Sequence, residues 1–334
     1  MRALVTGAGG FIGGHVTRAL LASGADVRGL DRDAGRVPVG AEPIAGDVLD
    51  PAAVRRALDG CDAVFHLAAV YSYARADAAA MQAVNVEGTR CVLDAAARTG
   101  VRVVHTSSCA TCGPVPGRAA DEDDTPPAWE LAVPYKRTKH DGERLALAAA
   151  AEGHDVVVVN PTTPVGPGDH RPTPTGRMIR DVASGRARAY LAGGALNVVA
   201  VQDVAAGHLR ALEHGRSGRR YLLGGEDLAM RDVFAAVARA AGRPAPRLAV
   251  PWGVAYGAAR VADAALRPLG REPRLLVLDE VRLARVPMRF DDRRAREELG
   301  HVSRPAAQAL AEAVAGAAPT GLRPPAYPGP HPGT

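Results

Sequence analysis

The spacing of apolar positions changes repeatedly along the first 160 residues. Short apolar or β-branched runs at Ala3–Val5, Asp26–Leu30, Ala63–Leu67, Val101–Thr106 and Val156–Val159 have the length of buried strands. Between them, helical spacing predicts helices over His15–Ala22, Pro51–Leu58, Ala78–Arg98 and Tyr135–Glu152. Strand–helix alternation of this kind requires crossover connections, which are right-handed. It therefore predicts an α/β fold, a Rossmann-type doubly wound parallel sheet, as a dinucleotide-binding domain over residues 1–160.

The texture changes after Asn160-Pro161. Residues 161–176 are rich in Pro, Gly and Thr and read as a loop rather than a regular element. Helices follow over Arg177–Ser184, Val204–Leu212, Met230–Ala241, Val254–Leu266 and Ala306–Val314. Strand-like runs at Val198–Val201 and Tyr221–Leu223 are expected to extend the sheet. Residues 161–318 thus read as a smaller C-terminal α/β region that binds substrate, with some strands and helices returning to the sheet. The stretch 319–334, with six prolines, reads as a flexible tail.

Composition narrows the class. The 334-residue chain is 47% hydrophobic and 23% charged, as expected of a globular protein. Its net charge of +5 comes from arginines scattered among acids, not from a basic stripe, so nucleic acid is not an expected partner. No window approaches the ~18 apolar residues of a membrane span, and no secretory signal is visible. Four cysteines, Cys61, Cys91, Cys109 and Cys112, suggest a reducing cytoplasm. Cys109 and Cys112 form a C-x-x-C, but no second pair or histidine cluster completes a metal site, so no metal is expected.

The turn after the first strand carries the first chemistry. Gly7, Gly10 and Gly13 let the backbone turn sharply and approach a pyrophosphate, and the helix that follows offers free N–H groups and a positive dipole end. Asp31 ends the second strand 18 residues beyond Gly13, where a carboxylate accepts hydrogen bonds from the adenosine ribose. That placement favours NAD. The adjacent Arg32 leaves NADP open, because a guanidinium holds a 2′-phosphate. Asp47 and Val48 follow the next strand-like segment, placed to meet the adenine.

Tyr135 and Lys139 are four apart at the start of a helix, so they share one face. An ammonium beside a phenol stabilises the phenolate. Lowering a tyrosine by about three units corresponds to about 4 kcal/mol. The chain holds only two lysines, Lys136 and Lys139, against 39 arginines, which singles out Lys139. Arginine is no substitute for a compact point charge. Lys136 reads as merely exposed. Ser108 closes the strand that includes Thr106, at the carboxyl edge where open α/β sheets carry their sites, and its hydroxyl can orient a carbonyl.

These residues carry a resemblance. TGAGGFIG at 6–13, HLAA at 66–69, TSS at 106–108, YKRTK at 135–139 and NP at 160–161 resemble the extended short-chain dehydrogenase/reductase superfamily. NVEGT at 85–89, VNPTTPVGP at 159–167, PTPTGR at 172–177, DVAAGH at 203–208 and YLLGGE at 221–226 are similar to a narrower branch. That branch holds hopanoid-associated sugar epimerases and dihydroflavonol-reductase-like ketoreductases. The resemblance implies Tyr135 as acid/base, Lys139 on the nicotinamide ribose and Ser108 on the reacting oxygen. It extends the cofactor set to Phe11, Ile12, Leu67, Ala68, Ala69, Thr106, Pro161 and Thr162, and it implies a homodimer.

Two chemistries fit this core, reduction of a ketone and epimerisation of a nucleotide sugar. Nucleotide-sugar enzymes of the superfamily usually carry an arginine to grip the diphosphate, and Gly194–Val201 has no basic residue. The balance favours an NAD(P)H-dependent ketoreductase for a small apolar or aromatic carbonyl. Epimerase and non-catalytic dinucleotide-binding protein are the alternatives. Tyr71, Ser108, Cys112, Thr163 and Arg177 are candidate substrate contacts. His66 and His105 read as packed histidines.

Overall fold

A computed structural model describes residues 1–269, 273 and 277–317. Strands β1 (Arg2–Thr6), β2 (Asp26–Asp31), β3 (Glu42–Ala45), β4 (Ala63–His66), β5 (Arg102–Thr106) and β6 (Val156–Pro161) come from the first half of the chain. Then follow β7 (Thr163–Val165), β8 (Ala189–Leu191), β9 (Ala195–Ala200), β10 (Arg220–Leu223), β11 (Glu226–Ala229) and β12 (Leu248–Val250). Seven strands form the main sheet in the order β10-β6-β5-β4-β1-β2-β3, all parallel. The order reverses between β1 and β4, and a crevice opens at such a switch point beyond the carboxyl ends of the strands. Strand β6, VVVVNP, is buried at every position, as expected of a strand covered on both faces.

Two sequence expectations change. The run around Val198 does not extend the main sheet. The edge beyond β6 is taken by β10, so β9 instead becomes the centre of a three-stranded sheet, β11-β9-β7. The stretch 161–176 is not all loop, because Thr163–Val165 pairs with β9. Pro164 is tolerated there since β7 is an edge strand, where a missing N–H leaves no ladder bond unmade. The tail expected over 319–334 lies outside the described residues.

The helix expected over Ala78–Arg98 is interrupted. Ala78–Gln82 and Thr89–Thr99 are α-helical, and Ala83–Gly88 forms a π turn between them. The turn places Asn85 as a bridge. Its Oδ1 accepts from the Val70 N–H at 2.8 Å, and its Nδ2 donates to the Val70 carbonyl and the Thr138 hydroxyl. The loop after β4 is thereby held against helix Pro134–Ala151, which carries Tyr135. Gly142 permits the approach, since a Cβ there would sit 2.5 Å from the Asn85 carbonyl oxygen.

Candidate active site

The glycine turn is dictated by close contacts. Gly7 has φ +69, and a Cβ on it would lie 2.9 Å from the Ala68 backbone. A Cβ on Gly13 would lie 2.1 Å from the Gly7 carbonyl oxygen, so the first turn of helix Phe11–Ala22 nests under the loop only with glycine there. Gly9, which sequence reasoning passed over, donates its N–H to Asp31 Oδ2 at 3.0 Å. Thr6 Oγ1 accepts from the N–H groups of Leu67 and Ala68 and ties the end of β4 to the same turn.

Above this turn lies a cleft of about 230 Å³. Of the residues expected to hold the cofactor, Gly7, Gly10, Phe11, Asp31, Arg32, Asp47, Val48, Leu67, Ala68 and Ala69 line it. Sequence reasoning missed Arg36 and residues 168–171, which line it too. A turn whose glycines keep side chains out of the cleft, a helix amino terminus and an acid at the end of β2 together fit a dinucleotide. Ile12 and Gly13 lie in the helix beneath the cleft. Thr106, Tyr135, Lys139, Pro161 and Thr162 are not among its lining: the first three meet at Ser108, whereas Pro161 and Thr162 pack against Leu223 of β10.

Ser108, Tyr135 and Lys139 converge at the carboxyl end of β5. The Tyr135 hydroxyl donates to Ser108 Oγ at 3.3 Å, and Lys139 Nζ donates to the Thr106 carbonyl at 2.7 Å. Both helix residues are buried. Burial pushes the Tyr135 phenol up, Tyr71 adds to the rise, and the bond to Ser108 only partly opposes it. Lys139 is lowered to about 8, first by burial, with Glu143 opposing. The phenol is thus not lowered by the chain's own groups, because desolvation outweighs its polar neighbours.

Below the triad runs a polar network that the sequence did not show. Glu143 Oε2 accepts from the Thr111 hydroxyl at 2.8 Å and from Asn160 Nδ2 at 2.6 Å, while Arg220 donates to Oε1 at 2.8 Å. Asn160 Nδ2 also donates to the Ser108 carbonyl at 3.1 Å, which ties the network to the serine's backbone. Lys136 is the clearest correction. It is buried, donates to the Gly113 carbonyl at 2.7 Å and pairs with buried Glu130, so it is not an exposed lysine.

The candidate substrate contacts divide. The Tyr71 ring lies 4.4 Å from that of Tyr135, and Tyr73 lies 5.7 Å from both. Met81, Ala110 and Val70 pack with Tyr135 and Tyr73. Cys112, by contrast, is fully buried in a separate cluster with Leu222 and Phe290; it packs the core and does not line this surface. Thr163 is buried in β7. Arg177 donates to the Pro172 carbonyl and pairs with Glu280 at 3.5 Å, so its charge is already engaged. Burial pushes the Cys109 thiol up to about 12, and both members of the C-x-x-C are free, buried thiols. His66 sits between the hydroxyls of Thr6 and Thr89, a packed histidine as expected.

Sheet order, glycine turn and cleft define a nicotinamide-dependent oxidoreductase of the extended short-chain dehydrogenase/reductase type. The chain belongs to the NAD dependent epimerase/dehydratase family, whose model matches residues 3–224, and NAD is its cofactor. It is 39% identical to sterol demethylase protein B of Methylococcus capsulatus, over 94% of this chain and 98% of that one. It is 33% identical to 4-hydroxy-2-methyl-3-oxo-4-farnesyl-3,4-dihydroquinoline-1-oxide ketoreductase of Stigmatella aurantiaca, over 96% and 98%. Among solved structures it resembles the UDP-glucose 4-epimerase of Thermus thermophilus in complex with NAD, with a TM-score of 0.74 and 25% identity over 95% and 98% of the two chains. Among the described residues no helix is long and apolar enough to cross a membrane.

Proposed function

We propose that the protein is an NAD(P)H-dependent ketoreductase for a small apolar or aromatic carbonyl compound, with Ser108, Tyr135 and Lys139 as its catalytic residues. The observation that carries this reading is the Tyr135–Ser108 hydroxyl pair, 3.3 Å apart at the carboxyl edge of β5. In this reading Ser108 Oγ donates to the substrate oxygen and Tyr135 Oη transfers its proton to that oxygen as it becomes an alcohol. A phenol pushed up by burial stays protonated at neutral pH, which suits a proton donor in the reducing direction. Lys139, one helical turn on and tied to the Thr106 carbonyl, brings a positive charge to the same end of β5. A reduced nicotinamide held in the cleft of the Gly7–Phe11 turn would supply the hydride for the carbonyl carbon.

The substrate class follows from what surrounds the pair. Tyr71 and Tyr73 offer an aromatic surface backed by buried Met81. Asn197, central in the stretch that lacks a basic residue, is committed to Asp227 and to the Gly225 backbone. No guanidinium is thus offered there to a sugar diphosphate. The test is incubation of the purified protein with NADH and a panel of aromatic and alkyl ketones, beside NAD with UDP-hexoses. NADH oxidation with a ketone supports the reading; interconversion of UDP-hexoses without ketone reduction overturns it in favour of an epimerase.

A further inference from the structure

The dinucleotide cleft has a second wall that the glycine motif does not account for. Residues 168–171, from the second half of the chain, line it together with the Gly7–Phe11 turn. This strap is anchored at its start from two sides. His15, on the helix that the glycine turn opens, lies with Nε2 2.9 Å from the Pro167 carbonyl oxygen. On the other side Gly316 presses against Pro167, where a Cβ on Gly316 would lie 2.5 Å from the proline's own Cβ. Farther along, the Asp169 carboxylate accepts from the Thr173 N–H at 2.9 Å and from its hydroxyl at 2.8 Å, and Arg180 donates to the Asp169 carbonyl.

The charges on the cleft are unequally committed. Each of its acids is used locally: Asp31 accepts from the N–H groups of Gly9 and Asp33, Asp47 from Leu49, and Asp169 from Thr173. The guanidiniums of Arg32, Arg36 and Arg171 have no partner among the described residues. The three arginines match Asp31, Asp47 and Asp169 in number, but only the guanidiniums keep donors without a partner among the described residues, and such donors suit an anion. Arg32 and Arg36 stand on the side of Asp31. Arg171, exposed, is the cation of the strap.

We propose that residues 167–171 form a strap that retains the dinucleotide, with Arg171 binding its diphosphate across from the glycine turn and His15 as the positioning residue that holds the strap in place. This rests on the cofactor assignment and not on the choice of substrate. It also explains why a histidine lies buried in the nucleotide-binding helix: burial lowers it to about 4, so it is neutral and its ring N–H is available to a carbonyl. A strap joining the two halves of the chain makes cofactor retention depend on the order of the second half.

Calorimetric titration with NADH, ADP and adenosine tests it. Arg171→Ala should weaken NADH and ADP about tenfold, the scale of one charge-assisted hydrogen bond, and leave adenosine unchanged. His15→Ala should raise the NADH off-rate and speed amide exchange over 167–171, and His15→Gln, still a donor, should restore both in large part. Unchanged NADH affinity in Arg171→Ala, or equal weakening of adenosine, overturns the strap even if His15→Ala fails to fold. Failure of the unaltered protein to bind NADH at all would instead overturn the cofactor assignment and the strap with it.

Discussion

Lys136 closes a buried ion pair with Glu130, directly beside the tyrosine of the triad. It also holds the Gly113 carbonyl, so the segment 113–130 is pinned to the start of the Tyr135 helix. Breaking one side of a buried pair strands the other charge, at a cost of about 3–5 kcal/mol. Glu130→Gln and Lys136→Met should each lower the unfolding free energy by that order. The double variant Glu130→Gln with Lys136→Met should lose less than the two single losses added together. Urea unfolding of the set gives the coupling; strict additivity would show that the pair does not act as one.

Tyr135→Phe removes the proponed proton donor and keeps the ring that Tyr71 and Tyr73 contact. It should lower kcat at least about a hundredfold while NADH binding stays near that of the unaltered protein. Ser108→Ala should also lower kcat, because the substrate oxygen loses a donor. Stopped-flow turnover beside fluorescence titration of NADH separates chemistry from binding. Near-normal turnover in Tyr135→Phe would remove the phenol from the mechanism.

Lys139 makes the reaction and the fold respond to pH in opposite directions. Its ammonium is lowered from 10.5 to about 8 by burial, so the folded protein releases this proton well before the unfolded chain does. Between those two values the unfolded state binds more protons, and the Lys139 contribution to stability rises with pH. Below pH 8 both states are protonated and the desolvation cost stands in full. Activity should instead fall as pH rises through about 8, since the charge beside Tyr135 is lost. The alkaline limb of kcat/KM, which reports the free enzyme, measures this directly. A limb no lower than 10 would show that Lys139 keeps its charge.

The parts of the site that were legible in the sequence share a physical reason. Gly7 and Gly13 are demanded by backbone contacts inside one continuous turn, and Tyr135 and Lys139 by one helix face, so local spacing carries both. Lys136 and Glu143 were illegible because their partners come from elsewhere: Gly113 and Glu130 for the first, Thr111, Asn160 and Arg220 for the second. A lysine next to a tyrosine on a helix carries no mark of burial. The same limit misplaced β9, whose hydrophobic run suits either sheet and whose neighbour was decided by β10 occupying the main edge. Cys112 failed for a related reason, since proximity to Ser108 in sequence says nothing about which side of the chain the thiol faces.

Glu143 lies one turn beyond Lys139 on the same helix, and its carboxylate is the group that partly offsets the desolvation of that lysine. Glu143→Gln keeps the shape of the side chain and removes the charge. Without it nothing opposes burial, so the Lys139 ammonium should titrate below its present value of about 8 and the alkaline limb of kcat/KM should move to lower pH. The same substitution leaves the buried guanidinium of Arg220 without its carboxylate, which should destabilise the fold by about 3–5 kcal/mol. The two effects separate by measurement, because a pH profile taken well below the unfolding temperature is insensitive to global stability. Glu143→Ala would confound them by opening a cavity, whereas glutamine still accepts from Thr111. An unshifted limb in a folded Glu143→Gln protein would show that Glu143 supports the architecture alone and that the charge at Lys139 is set elsewhere.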